Sequence, residues 1–107
     1  MPDNYEENAP TRDEVDAWPG AALLEFGNDW CPHCQAAQPL IADALASFPG
    51  VKRVKVADGK GKPLGRSFAV KMWPTLVFLK DGQEVARAVR PADADEVRRG
   101  LEVTTTA

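Results

Sequence analysis

Trp30-Cys31-Pro32-His33-Cys34 holds the only two cysteines of the chain and lies between a short apolar run and a long helical pattern. Two thiols separated by two residues at the start of a helix can close a small disulfide ring, and the positive end of the helix favours negative charge on the first sulfur. The stretch therefore reads as a redox-active dithiol, with Cys31 the expected nucleophile. A structural disulfide and half of a zinc site are the competing readings. A loop this short constrains the unfolded chain little, and two cysteines with one histidine leave the four ligands of a structural zinc hard to assemble.

Upstream, Ala21-Ala22-Leu23-Leu24-Glu25-Phe26 is an apolar run broken by one acid, the pattern of a strand covered on both faces. Downstream, Leu40, Ile41, Ala44, Leu45 and Phe48 recur at helical spacing, so a helix is predicted from Pro32 to about Phe48, where Pro49-Gly50 stops it. Pro32 suits the first turn, whereas Pro39 lies inside and predicts a kink. Val51 to Ala57 reads as a second strand, and two strands joined through a helix predict a right-handed crossover and a parallel pair. A short helix is predicted near Leu64 to Phe68. Thr75 to Lys80, the Asp81-Gly82 turn and the alternating Glu84 to Val89 then form an antiparallel hairpin. Asp93 with Glu96 starts a last helix whose Val97 and Leu101 face inward.

Residues 1–10 have few apolar anchors and are expected to form a mobile tail, followed by a capping box at Thr11-Arg12-Asp13-Glu14 and a short helix to about Trp18. The expected organisation is thus a tail over 1–10, one folded domain over 11–103 and a frayed C-terminal tail over 104–107. A chain of 107 residues, 44% hydrophobic, suits one compact α/β domain. With 13 basic against 16 acidic residues and no basic cluster, neither nucleic acid nor anionic lipid is an expected partner. The acidic first twenty residues lack the features of a secretory signal, and no run approaches the ~18 apolar residues that span a bilayer, so a cytoplasmic setting is expected. There a paired C-x-x-C is more often catalytic than structural.

At this point the chain resembles the thioredoxin family. The matching features are Trp30-Cys31-Pro32-His33-Cys34 after a strand, Pro39 eight residues past Cys31, Trp73-Pro74-Thr75 opening the next strand and the Lys80-Asp81-Gly82 hairpin. They span about Leu23 to Leu101. The resemblance implies a central mixed sheet of four or five strands flanked by helices. It also implies thiol-disulfide exchange with protein substrates, a recycling reductase, a monomer, and no metal or organic cofactor. In that mechanism the Cys31 thiolate attacks a substrate disulfide, and Cys34, the resolving thiol, then displaces the substrate.

Other site residues follow from the same resemblance. His33, when protonated, would stabilise the Cys31 thiolate; the alternative is an exposed loop histidine screened by solvent. Pro32-His33 resembles the dipeptide of the bacterial periplasmic dithiol oxidases, which implies a potential above the ~-270 mV of thioredoxin, toward the ~-120 mV of the strongest oxidant. Glu25 stands where the family usually has a buried aspartate, so its burial would raise its pKa and let it take a proton from Cys34. The alternative is a carboxylate at a solvated strand edge, and Lys55 does not align cleanly as its partner. Pro74 corresponds to the family's cis-proline, which would leave the backbone of Trp73 free to pair with an extended substrate. Trp30, Pro32, Trp73 and Thr75 are the expected substrate contacts, although the tryptophans could equally be packing residues. Met72 and Arg90 replace glycines common in the family and would narrow the partner range. Gly59-Lys60-Gly61-Lys62 lacks the spacing of a phosphate loop and reads as a solvated loop. A glutathione-dependent glutaredoxin-like enzyme and a non-enzymatic binding module are the alternative functions; no Gly-Gly pair follows Pro74 to seat glutathione.

Overall fold

Every residue of Ala21–Gly27 after the first is buried, and this strand, β1, occupies an interior position in the sheet. The computed structural model describes residues 4–106 and gives the element order α1 (Arg12–Asp16), β1, α2 (Pro32–Leu45), β2 (Lys52–Ala57), α3 (Pro63–Ser67), β3 (Thr75–Lys80), β4 (Gln83–Val89) and α4 (Ala94–Thr105). The strand order is β2-β1-β3-β4, with β1 parallel to β2 and antiparallel to β3, and β3 antiparallel to β4. It is the mixed four-stranded sheet that the residues imply.

Alternation along β1 divides the core. Leu23 faces α2 and α4 with Ile41, Phe78, Val97 and Leu101, while Leu24 and Phe26 face α1 and α3 with Val15, Leu64 and Phe68. Glu25 therefore shares the Leu23 face and looks toward α2. On that side α4 approaches the sheet closely: a Cβ built on Gly100 would lie 2.4 Å from the Phe78 ring. Thr11 caps α1 with the full capping box, Asp93 caps α4 by accepting from the Glu96 amide, and Asp81-Gly82 turns the hairpin with positive φ at both residues.

Three expectations about the ends of elements are corrected. Residues 5–10 do not form a tail: Tyr5 is buried, and Glu6 adds a parallel bridge to the outer edge of β2, its amide donating to Lys55 O and its carbonyl accepting from Ala57 N, both at 2.9 Å. One aromatic anchor and one bridge hold a segment whose composition is otherwise polar. Residues 1–3 lie outside the described residues. Helix α2 ends at Leu45, and residues 46–48 close it with tighter turn bonds before Pro49. The C-terminal helix runs through Thr105, because Thr104 is buried and donates its hydroxyl to Leu101 O at 2.6 Å; Ala107 is outside the described residues.

Candidate active site

The dithiol sits where the sequence places it, at the N-terminus of α2. Cys31 is the N-cap, in extended conformation, and Pro32 is the first helical residue, where its missing N–H costs nothing. Both thiols are free and both cysteines are buried. Burial works against ionisation of Cys31, yet the net effect holds its thiol below the ordinary range: the Cys34 thiol hydrogen-bonds to it, the amides of Cys34 and His33 face it, and the Arg90 guanidinium adds a cation. Those amides act on the sulfur as dipoles, without closing a capping hydrogen bond of normal geometry. Cys34 goes the other way. Burial pushes its thiol up to about 11, and the adjacent Cys31 sulfur adds to the rise, while the Asn28 backbone and the Tyr5 hydroxyl oppose it.

Behind Cys34 lies Glu25, fully buried on β1. Its Oε1 accepts from Arg53 Nη2 at 2.8 Å and Arg53 Nε at 3.1 Å, and its Oε2 accepts from Gln38 Nε2 at 2.9 Å and from the Tyr5 hydroxyl in a short contact. The solvated strand edge is thereby excluded. Gln38 Oε1 in turn accepts from Arg53 Nη2 and Lys55 Nζ, both at 2.8 Å. No buried side-chain polar atom among the described residues lacks a partner.

Three members of this cluster were not singled out in the sequence. Gln38 had a signal, being one helical turn past Cys34 on the same face. Arg53 also had one, since alternation on β2 puts it on the Lys55 face, and it meets Glu25 from two register positions away, where it pairs with Leu23. Tyr5 had none.

The Trp73-Pro74 bond is cis, Pro74 is buried, and Trp73 packs against the cluster of Cys31, Cys34, Tyr5 and Ala57. The carbonyl of Trp73 is not free, contrary to what the cis-proline resemblance implies, because Arg90 Nε donates to it at 2.8 Å. Arg90 reaches it from a positive-φ position after β4, with its own amide on Pro74 O at 3.0 Å. Thr75 is buried, and its hydroxyl donates to Met72 O at 2.5 Å, so its side chain is turned inward. Trp30 is 69% exposed and meets the half-buried Trp73 edge to face, with centroids 5.6 Å apart. Trp73 is anchored in turn by Nε1 donating to Asp58 Oδ2 at 2.8 Å. Pro32 and His33 are exposed beside Cys31, and His33 lines a shallow groove of about 220 Å³ with Leu40, Arg90, Pro91 and Ala92. A larger cavity of about 450 Å³, between the N-terminal segment and α3, is not lined by either cysteine. Among the described residues no cluster of three or more His, Cys, Asp or Glu is arranged to hold a metal ion.

The comparisons with known proteins agree on one family. The family model described as Thioredoxin matches residues 5–102. Thioredoxin of Chlamydia trachomatis serovar D is 34% identical over 79 residues, covering 73% of this chain and 76% of that protein. Thioredoxin H-type 1 of Nicotiana tabacum is 36% identical over 67 residues, 63% of this chain and 53% of that protein, so the match spans about half of that longer relative. Among solved structures, reduced thioredoxin 2 from Pseudomonas aeruginosa PAO1 superposes with a TM-score of 0.85 at 55% identity, covering 95% of this chain and 94% of that one.

Proposed function

Since the chain belongs to the thioredoxin family, whose members are thiol-disulfide oxidoreductases, we propose that it exchanges disulfides with protein substrates through Cys31 and Cys34. The observation that carries this reading is the opposite treatment of two adjacent thiols, one held below and one above the ordinary range. Cys31 attacks a substrate disulfide: its sulfur bonds to one substrate sulfur, and the other substrate sulfur leaves as a thiol. Cys34 then gives up its proton and attacks the Cys31 sulfur, forming the Cys31-Cys34 disulfide and releasing the second substrate thiol. Protein disulfides are the substrates, and a reductase of general thioredoxin-reducing type restores the dithiol.

Trp30, Trp73, Pro32 and the groove beside His33 form the platform for the substrate backbone and apolar side chains. Arg90 occupies the Trp73 carbonyl, so an extended substrate reaches that carbonyl only by displacing the guanidinium, which narrows the partner range. Stabilising the Cys31 thiolate favours the reduced protein over the disulfide, so it raises the reduction potential relative to a dithiol without that stabilisation. A cytoplasmic setting and a monomeric working unit are part of the same proposal. No helix among the described residues is long and apolar enough to cross a membrane.

The test is the reduction of insulin disulfides by dithiothreitol. Catalytic amounts of the protein are expected to accelerate precipitation of the insulin B chain several-fold over dithiothreitol alone; an unchanged lag would refute the assignment.

A further inference from the structure

The buried acid and the resolving cysteine are separated by a phenol. Tyr5, the only tyrosine of the chain, is 5% exposed, its hydroxyl donates to Glu25 Oε2, and its ring packs with Cys34 and Cys31 in one buried cluster. Gly27 marks the junction: a Cβ built there would fall 2.6 Å from Cys34 Sγ and 2.9 Å from both the Tyr5 oxygen and its ring carbon Cζ. The glycine is what lets sulfur and phenol sit side by side. Tyr5 is fixed from several directions, by its amide on Asp29 Oδ1 at 2.9 Å, by the Gln38 Nε2 contact to its oxygen at 3.3 Å and by Lys55 Nζ 4.6 Å above its ring.

We propose that Tyr5 relays the proton of Cys34 to Glu25 during the resolving step, so that the N-terminal segment is part of the catalytic machinery. This rests on the dithiol reading above. As Cys34 Sγ attacks the Cys31 sulfur, its proton passes to the Tyr5 oxygen while the phenol's own proton passes to Glu25 Oε2. The new bond is Cys31-Cys34, the broken bond is Cys31 to substrate sulfur, and the departing thiolate takes a proton from solvent, to which Glu25 afterwards returns the one it received, so that no net proton is gained or lost. Tyr5 ends as it began, a neutral phenol.

The surroundings suit a relay rather than a store of charge. Burial and the Glu25 carboxylate hold the phenol far above its ordinary range, so a free tyrosinate is not populated and the two proton movements must be concerted. Among the described residues, the charged and titratable groups that face the cluster are Glu25 from β1, Asp29 from the loop after it, Arg53 and Lys55 from β2, and Cys31 and Cys34 from the start of α2. Arg53 holds Oε1, which leaves Oε2 facing the phenol to receive the proton, while Lys55 lies over the Tyr5 ring and donates to Gln38 Oε1. Across the sheet, β3 presents apolar Leu76 opposite Glu25.

An aromatic disulfide such as Ellman's reagent separates the steps, since attack by Cys31 frees one equivalent of coloured thiolate and resolution by Cys34 frees the second. In Tyr5→Phe the first release is expected to stay within about twofold of the unmodified protein, and the second to slow at least tenfold at pH 7, in line with the contribution of general acid-base groups. The deficit should shrink as the pH approaches that at which Cys34 ionises unaided. Glu25→Gln is expected to slow the same release, and the double variant to be no slower than the slower single one. Because there is one tyrosine, biosynthetic incorporation of 3-fluorotyrosine alters only this phenol without removing it, and should change the second release at least threefold and leave the first alone. An unchanged second release in Tyr5→Phe, equal slowing of both releases, or additive slowing in the double variant would each overturn the relay. Failure of the unmodified protein to give a first release faster than Cys31→Ser would instead overturn the dithiol reading itself.

Discussion

Cys31→Ser is expected to reduce insulin-disulfide reduction to the dithiothreitol background, a loss on the order of 10³-fold or more, which corresponds to about 4 kcal/mol of transition-state stabilisation. A serine hydroxyl at the N-cap of α2 still fits the helix start, and serine is among the better N-cap residues, so the fold has no reason to suffer. What disappears is the ionised sulfur. Cys34→Ser is a different lesion: the first attack survives, the displacing thiol is gone, and the protein accumulates as a mixed disulfide with one substrate molecule per chain. Mass spectrometry of the non-reduced reaction separates the two. Substantial turnover by Cys31→Ser, or failure of Cys34→Ser to trap substrate, would contradict the assigned order of events.

The second large effect concerns stability. Glu25→Ala removes a fully buried carboxylate that accepts four hydrogen bonds, leaves the Tyr5 hydroxyl without its acceptor, and reduces Gln38 and Arg53 to their remaining bonds with Cys34 O and Gln38 Oε1. Arg53 is about a quarter exposed and can turn partly to water, whereas Tyr5 cannot follow it without leaving the core. Breaking a buried pair from one side costs ~3–5 kcal/mol, and the partial exposure of Arg53 places this case at the lower end, about 3 kcal/mol. For a domain of this size that is a fall on the order of 10–20 °C in Tm. Urea unfolding of the reduced variant measures it directly. A loss under about 1 kcal/mol would mean that the Glu25 cluster is not held together as the contacts imply.

The region from Leu23 to Leu101 is legible because each of its signals is local. The apolar run of β1, the Pro32 start of α2, the Asp81-Gly82 turn and the Asp93 cap each lie within a few residues of the element they specify. The dithiol is legible for the same reason. What surrounds it is not, since Tyr5 meets Glu25 across 20 residues of chain and Arg53 meets it across 28. A polar segment with one aromatic carries no periodicity, so residues 5–10 read as a tail although a single buried ring and one bridge fix them. Arg90 shows a related limit. Its bulk was visible as a departure from the family's glycines, but only the fold brings its guanidinium onto the Trp73 carbonyl and near the Cys31 sulfur. Thr75 shows the converse, a residue in a recognised motif whose side chain turns inward.

The central claim is that neighbouring thiols at one helix start ionise far apart, and the pH dependence of iodoacetamide alkylation of the reduced protein tests it most directly. A thiol held below the ordinary range populates its thiolate at lower pH, so Cys31 should be alkylated with a midpoint below the ~8.5 of a free cysteine. Cys34, pushed up to about 11, should stay unmodified across the neutral range. One equivalent on Cys31 with that low midpoint is the expected result, and simultaneous modification of both residues with a common midpoint near ~8.5 would contradict it.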